Sequence, residues 1–229
     1  MTVSRETKDW RTWPEALILE RGAAELGLAV TDGQIGLLLT YLHLLRQWNT
    51  RIKLIGPAPA SEQVVLHLLD SLSGLRMVTE DRLDVLDLGS GGGLPGLILK
   101  MVRPGWSMFL AEARKKKAAF IKQSIRRISL SGATVLPERI GADARPAGRP
   151  AFDLVVFRAL GTLSESLPLA RSLLSPTGRI LAYKGPAAQK ELLEAGPRLT
   201  DWGLLLAGED KFRLPFLGHQ RVLLLFASL

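Results

Sequence analysis

The chain has 229 residues, of which 47% are hydrophobic and 23% charged, so a sizeable core can form and disorder throughout is not expected. It contains no cysteine, which excludes disulfides, cysteine zinc sites, iron–sulfur clusters and thiolate nucleophiles. The formal net charge is +8, and residues 81–149 alone hold 13 basic against 6 acidic side chains, which suits a polyanionic partner as well as a solvated surface.

The first 80 residues are predicted to be helical. Pro14 suits the first turn of one helix, Thr31 or Asp32 can cap a second, and Ser61 begins a third. Apolar residues recur at helical spacing in all three segments. We therefore predict a helical N-terminal extension over residues 1–80.

From residue 83 short apolar runs alternate with helical stretches, which is typical of βαβ units. This pattern predicts an α/β domain over residues 81–229, with a doubly wound, mostly parallel, seven-stranded sheet. The connection over residues 208–220 shows no obvious helix, so an antiparallel last strand is expected. The predicted strands are 83–88, 108–111, 134–136, 154–157, 180–183, 204–207 and 222–226, and the predicted helices lie near 95–102, 116–130, 163–174 and 187–199.

A glycine-rich loop follows the first predicted strand. Four of the five residues from Gly89 to Gly93 are glycine, more than a structural turn needs, so this loop is predicted to bind a ligand. Gly91, Gly93 and Gly96 match the G-x-G-x-x-G pattern of dinucleotide sites, and Glu112 closes the second strand, where a carboxylate can accept hydrogen bonds from ribose hydroxyls. NAD and S-adenosylmethionine both carry such a ribose, so both remain candidates.

Two features favour S-adenosylmethionine. Asp87 precedes Gly89 by two residues, where a carboxylate can anchor the loop or face the ammonium group of a ligand. The antiparallel last strand fits the methyltransferase version of the fold, and no second catalytic domain remains for a dehydrogenase. A nicotinamide-dependent oxidoreductase is kept as the alternative enzyme.

The segment from Asp87 to Gly96 resembles the cofactor loop of the ribosomal RNA small subunit methyltransferase G family, also called glucose-inhibited division protein B. The glycine loop alone identifies only the methyltransferase class, but further segments agree with the family in order and spacing from about residue 40 to the end. These are Trp48-Asn49 with Leu54, His67 with Asp70-Ser71-Leu72, Glu112 to Lys117 with Phe120, Arg158-Ala159 and Lys184-Gly185.

The resemblance implies a Rossmann-like class I methyltransferase that methylates N7 of a guanine in 16S rRNA with S-adenosylmethionine. The family usually has an acidic residue in the position of Gly141, and the nearest acid downstream is Asp143, so a backbone contact to the cofactor would survive there and a side-chain contact would not. Together with the loop residues discussed above, the candidate cofactor-binding residues are Asp87, Gly89, Gly91, Leu94, Glu112, Ala113, Arg114, Ile140, Gly141 and Arg158.

The residue types present are compatible with methylation at guanine N7. Methylation of pyrimidine C5 needs a cysteine nucleophile, which the chain lacks. Residues 157–160, after the fourth strand, do not form the Asn/Asp-Pro-Pro-aromatic loop common in amine methylation. Guanine N7 carries a lone pair and no proton, so it needs alignment rather than a general base. No catalytic residue is assigned, and Arg158 and Lys184 are candidates for positioning the target base.

The expected partner is 16S rRNA or the small ribosomal subunit. Arg114, Lys115, Lys116 and Lys117 are candidates for binding RNA phosphates, and a solvated helix face is the alternative explanation for them. A non-catalytic RNA-binding module with a degenerate methyltransferase fold is a second alternative function.

Metals and membranes are not expected partners. The three histidines are far apart in the sequence and lack carboxylates at ligand spacing, so no metal site is expected. No stretch reaches the roughly 18 apolar residues of a membrane span, and residues 1–13 lack the apolar region of a signal peptide. We expect a cytoplasmic monomer.

Overall fold

A computed structural model describes residues 13–141 and 151–229, so Asp143 and the first twelve residues of the predicted extension lie outside the described residues. Seven strands form one sheet in the spatial order third, second, first, fourth, fifth, seventh, sixth. They are β1 (Asp84–Leu88), β2 (Ser107–Ala111), β3 (Ala133–Leu136), β4 (Phe152–Arg158), β5 (Leu174–Lys184), β6 (Leu204–Arg213) and β7 (Gln220–Ser228).

The strand directions confirm the predicted fold class. Strands β1 to β5 are mutually parallel, and β7 runs antiparallel to both β5 and β6. The predicted loop over residues 208–220 is wrong in its extent, because β6 continues to Arg213 and pairs with β7 along that length. The reason is that β6 is an edge strand whose polar residues alternate into solvent, so this part of it has no apolar run to reveal it.

Eight helices and three irregular turns accompany the described sheet. Of the two residues predicted to cap the second helix, Thr31 is the cap and forms a capping box, since its hydroxyl accepts from the Gln34 amide at 3.3 Å and the Gln34 side chain accepts from the Thr31 amide at 2.9 Å. A π-helical turn, Val64–Leu69, is followed by a short helix and a 3₁₀ turn, Ser73–Arg76. A second 3₁₀ turn is Gly196–Arg198. The helices are α1 (Pro14–Glu25), α2 (Asp32–Asn49), α3 (Ala60–Gln63), α4 (Asp70–Leu72), α5 (Gly96–Val102), α6 (Lys115–Arg127), α7 (Leu163–Leu173) and α8 (Ala188–Ala195).

The sheet has one hydrophobic cluster on each face. Val85 and Leu86, adjacent in β1, belong to different clusters because successive strand residues point to opposite faces. Helices α1, α2, α5 and α6 contribute to the cluster on the Val85 face, and α7 and α8 to the cluster on the Leu86 face. The N-terminal helices therefore share a core with the sheet, while the boundary near residue 80 stays a prediction.

The carboxyl ends of the parallel strands meet at one edge of the sheet. Because β7 is antiparallel, its first residues lie at that same edge, where Val222 pairs with Lys184 at the end of β5. This edge collects side chains from segments that are distant in the sequence, as expected for ligand sites in α/β sheets. No helix within residues 13–141 and 151–229 is both long and apolar enough to cross a membrane.

Candidate functional site

Two cavities lie at the carboxyl edge of the sheet. The first cavity, of about 610 Å³, is lined by five of the predicted cofactor residues, which are Gly89, Glu112, Ala113, Arg114 and Ile140. The second cavity, of about 480 Å³, is lined by Arg158 and Lys184 among others. One loop after β4 contributes to both, since Leu160 lines the first cavity and its neighbours Ala159 and Gly161 line the second.

Glu112 connects the first cavity to the glycine loop, residues 89–93. Its Oε2 accepts a hydrogen bond from the Gly91 amide at 2.9 Å, and its Oε1 accepts one from the Arg114 amide at 2.7 Å. Each carboxylate oxygen retains a further lone pair, so the group can also accept hydrogen bonds from a ligand. The predicted role of Glu112 as an acceptor for ribose hydroxyls agrees with this position on the cavity wall.

Asp87 lies behind the glycine loop, outside the lining of the first cavity, and is fully buried. Its Oδ2 accepts the Gly96 amide at 2.9 Å, and a β-carbon at Gly96 would stand 2.7 Å from that oxygen, so only glycine allows this approach. Its Oδ1 is buried with no hydrogen-bond partner among the described residues. Burial raises the pKa of Asp87 to about 7, although the Gly96 amide opposes the rise. Asp87 therefore anchors the loop in this structure.

Four further predicted cofactor residues lie outside the first cavity. Leu94 is part of the hydrophobic cluster on the Val85 face, and Gly91 reaches the site through its bond to Glu112. Gly141 follows Ile140 but is not part of the cavity wall, and Arg158 lines the second cavity instead. Their assignments as cofactor contacts stay predictions.

The N-terminal helices support the glycine loop through a contact that sequence reasoning missed. The hydroxyl of Tyr41 on α2 donates a hydrogen bond to the Gly92 carbonyl, and a β-carbon at Gly92 would lie 3.1 Å from Leu45. Tyr41 and Gly92 are 51 residues apart, and no local pattern in either segment indicates the contact. The helical extension thus forms part of the site's foundation.

Sequence reasoning also missed one wall of the first cavity. The start of α7 supplies part of it, and Thr162 and Glu165 form a capping box there, with the Glu165 carboxylate accepting the Thr162 amide at 2.9 Å. The T-x-x-E spacing could have located this helix start, but not the cavity beside it. The lining residues that were not predicted are Leu88, Ala111, Glu138, Arg139, Leu160, Glu165, Ser166 and Leu169.

A buried carboxylate organises the second cavity. Asp70 Oδ2 accepts Arg158 Nη1 at 3.0 Å, and Asp70 Oδ1 accepts Arg221 Nε at 2.9 Å. Arg158 Nη1 also lies 3.2 Å from the Leu66 carbonyl. Arg158 is thus held in place by α4 and the π-helical turn, which suits the predicted role of positioning a base.

Lys184 is paired within the second cavity. Its Nζ donates to Glu191 Oε2 and to the Gly161 carbonyl, both at 2.7 Å. Lys184 therefore connects the loop after β4 to α8, and its role toward a target base stays a prediction.

The predicted phosphate-binding residues open α6. Arg114 lines the first cavity and occupies the N-cap position without a side-chain capping bond, Lys115 and Lys116 are exposed, and Lys117 is half-buried. Three cations in the first helical turn, with no acidic residue there, oppose the helix dipole. Helix stability therefore does not explain them. Within the described residues no cluster of three or more His, Asp and Glu side chains could hold a metal ion.

Solved structures of methyltransferases share this fold. Magnesium protoporphyrin IX methyltransferase from Synechocystis PCC 6803, solved with bound S-adenosylmethionine, aligns with a TM-score of 0.59 and 16% identity over 88% of this chain and 99% of that one. A methyltransferase from Pyrococcus furiosus aligns with a TM-score of 0.58 and 17% identity over 83% and 96%. At this identity the likeness establishes the fold alone.

Sequence relatives identify the family. "Ribosomal RNA small subunit methyltransferase G" from Syntrophus aciditrophicus is 35% identical over 91% of this chain and 88% of that protein. The protein of the same name from Burkholderia cenocepacia is 38% identical over 87% and 89%, and the one from Geobacter sp. is 36% identical over 90% and 94%. The family described as rRNA small subunit methyltransferase G (GidB) matches residues 34–202. These matches confirm the resemblance inferred from the sequence, and the chain belongs to the rRNA small subunit methyltransferase G family.

Proposed function

We propose that this chain transfers the methyl group of S-adenosylmethionine to N7 of a guanine in 16S rRNA. Its family is one of methyltransferases of small-subunit rRNA. The observation that carries the proposal is Glu112, whose carboxylate holds the Gly91 amide of the glycine loop at the wall of the first cavity. The family match favours this function over a nicotinamide-dependent oxidoreductase.

The first cavity fits S-adenosylmethionine by the chemistry of its walls. Glu112 offers carboxylate oxygens to ribose hydroxyls, and Ile140 and Leu169 offer apolar surface to a base. When bound, the cofactor supplies an electrophilic methyl group on a positively charged sulfonium. Asp87, buried behind the loop with one oxygen unpartnered among the described residues, would hold the loop in place for that group through its bond to the Gly96 amide.

The second cavity supports a role in holding the methyl acceptor. Residues 159–161 form a wall common to both cavities, so a base in the second would lie beside a cofactor in the first. Guanine N7 needs no proton removed, so residues that orient the base and exclude water suffice. Arg158, fixed by Asp70, is placed for such orientation.

Transfer of labelled methyl groups tests the proposed function. We expect transfer to rRNA lacking its own modification, with naked RNA, 30S particles and 70S ribosomes assayed in parallel. Replacing the target guanine by 7-deazaguanine, which has carbon in place of N7, should abolish labelling, and this result would assign N7 as the methylated atom. Transfer to none of the three substrates would instead support the non-catalytic RNA-binding alternative.

The exposed lysines that open α6 are expected to bind RNA phosphates. Lys115→Glu with Lys116→Glu should weaken rRNA binding and make the plot of log K against log salt shallower by roughly 1.4 to 1.8, because two phosphate contacts are lost. Folding should be unaffected, since acidic residues in a first helical turn favour the helix dipole. Binding measured across a salt series checks this.

A matched control makes the same charge change elsewhere. Arg21→Glu with Arg82→Glu alters two exposed residues, of which Arg82 precedes β1 at the opposite edge of the sheet. We expect a small change in affinity from overall charge but an unchanged slope. Equal slopes for both double variants would favour a solvated helix face for Lys115 and Lys116.

Gly91 is expected to tolerate no branched side chain without loss of cofactor binding. Its φ of +57° lies in the left-handed region, where valine costs on the order of 1–3 kcal/mol. Gly91→Val should relieve that strain by displacing the amide that Glu112 holds, and S-adenosylmethionine affinity should fall at least about tenfold. Calorimetric titration gives the affinity. Gly56→Val, at an exposed loop position with open space, should bind normally.

We further infer that the chain acts as a monomer. We also infer that it acts in the cytoplasm, where its rRNA substrate lies. Sedimentation of the protein with and without S-adenosylmethionine tests the monomer, and a dimer would overturn it.

A further inference from the structure

His67 lines the second cavity, and its ring nitrogens lack hydrogen-bond partners within the described part of the chain. Both of its ring nitrogens are buried, and neither has a hydrogen-bond partner among the described residues. A neutral imidazole carries one donor and one acceptor, and leaving both unmet inside a protein is unfavourable. Such an orphaned pair on a cavity wall indicates a group that is satisfied by a ligand.

The polar groups around His67 are engaged elsewhere. The Leu66 carbonyl lies near the ring but makes no hydrogen bond of acceptable geometry with it, and that oxygen accepts Arg158 Nη1 at 3.2 Å. The Asp70 carboxylate is divided between Arg158 and Arg221. Burial, followed by the Arg158 guanidinium, lowers the pKa of His67 to about 4, so the ring is neutral at pH 7. It therefore keeps one donor and one acceptor that no described protein group satisfies.

Two backbone features mark the same place. His67 lies in the π-helical turn Val64–Leu69, and such turns often occur at functional sites. Across the cavity, Ala159 has a φ of +56°, a conformation that costs free energy for a residue with a β-carbon. The π-helical turn and the left-handed Ala159 both lie at the second cavity, which suggests a binding surface.

We propose that the second cavity receives the methyl-acceptor guanine and that His67 hydrogen-bonds directly to its polar edge. The proposal rests on the proposed function and names a contact for the same reaction. While its N7 attacks the methyl group, guanine still presents an acceptor at O6 and an amine donor at N2, so an imidazole with one donor and one acceptor can pair with it. The cavity volume, about 480 Å³, lies within the roughly 300–1,000 Å³ typical of ligand sites.

The charges around the second cavity suit a nucleotide. Arg158, Lys184 and Arg221 line it with Asp70 and Glu191, which leaves one positive charge in excess. The two carboxylates are paired with those cations, so the surplus charge is available to a phosphate. A flipped or single-stranded guanine could thus be held by its base at His67 and by its backbone at the cationic rim.

Replacing the ring nitrogens separates this role from a structural one. His67→Phe keeps a planar ring and removes both orphaned nitrogens, so its melting temperature should equal or exceed that of the wild type. Its kcat/KM for methylating 30S particles should fall roughly 10- to 100-fold, because a hydrogen bond to substrate is lost. S-adenosylmethionine affinity, measured by calorimetry, should stay within about twofold, since His67 lies outside the first cavity.

Further variants control this experiment. His67→Asn retains a donor and an acceptor and should recover part of kcat/KM, and His43→Phe, an exposed histidine on α2, should behave as wild type. His67→Leu substitutes if the phenyl ring does not fit. A folded His67→Phe with unchanged kcat/KM would overturn the role of His67 without affecting the proposed function. A lowered melting temperature in both His67→Phe and His67→Leu would do the same. A wild-type chain that methylates no rRNA overturns the proposed function itself.

Discussion

Glu112→Ala is expected to weaken S-adenosylmethionine binding by more than 100-fold while the chain stays folded. The Glu112 carboxylate accepts from the Gly91 and Arg114 amides, and hydrogen bonds to a charged group contribute roughly 1.5–3 kcal/mol each. Without them the glycine loop loses its fixed position, and the ribose loses its acceptor. Both amides bond to a carboxylate that lies on the wall of the first cavity, where water can replace it, so unfolding is not expected.

Calorimetric titration of S-adenosylmethionine, with thermal melting on the same samples, checks this result. Glu112→Gln keeps one acceptor oxygen but turns an amide group toward a backbone donor, so its affinity should lie between those of alanine and wild type. Glu25→Ala, an exposed position near the end of α1, is the control and should bind normally. Near-normal affinity in Glu112→Ala would show that the first cavity is not the cofactor site.

The parallel part of the fold was predictable because its signals are local. Each buried parallel strand is an apolar run, and strand ends in such a sheet share one edge. This reasoning assigned Gly89 and Glu112 to the ligand site, the family resemblance implied Ile140, and all three line the first cavity. The edge strand β6 was underestimated because its outer half alternates polar residues into solvent.

The second cavity was only half predictable. Arg158 and Lys184 end parallel strands, so their place at the carboxyl edge followed from the pattern. Arg221 begins a strand, and it reaches the same edge only because β7 is reversed, across 151 residues from Asp70. The position of His67 depends on a π-helical turn, and periodicity arguments assume 3.6 residues per turn throughout. Long-range pairing and local irregularity are what the sequence pattern does not encode.

The other large effect is expected at Asp70, which holds two arginines at the second cavity. Asp70→Asn removes the negative charge that Arg158 and Arg221 share, so the two guanidinium groups would repel each other in a partly dry site. Breaking a buried ion pair typically costs 3–5 kcal/mol. Both arginine side chains are about a fifth exposed, so the lower end applies, and we expect a loss of about 3 kcal/mol in the free energy of unfolding.

Urea unfolding measures that loss of stability. One further variant is a control for an exposed ion pair, and another tests whether the two arginines repel each other. Glu194→Gln breaks an exposed ion pair with Lys190 and should change stability by less than about 0.5 kcal/mol. Arg221→Gln added to Asp70→Asn removes one of the two repelling cations, so the double variant should be more stable than Asp70→Asn alone. Methylation of 30S particles should remain impaired in the double variant, since Arg158 still lacks its carboxylate partner. A double variant less stable than the single one would contradict a repulsion between the arginines, and full activity in it would show that Asp70 does not position Arg158.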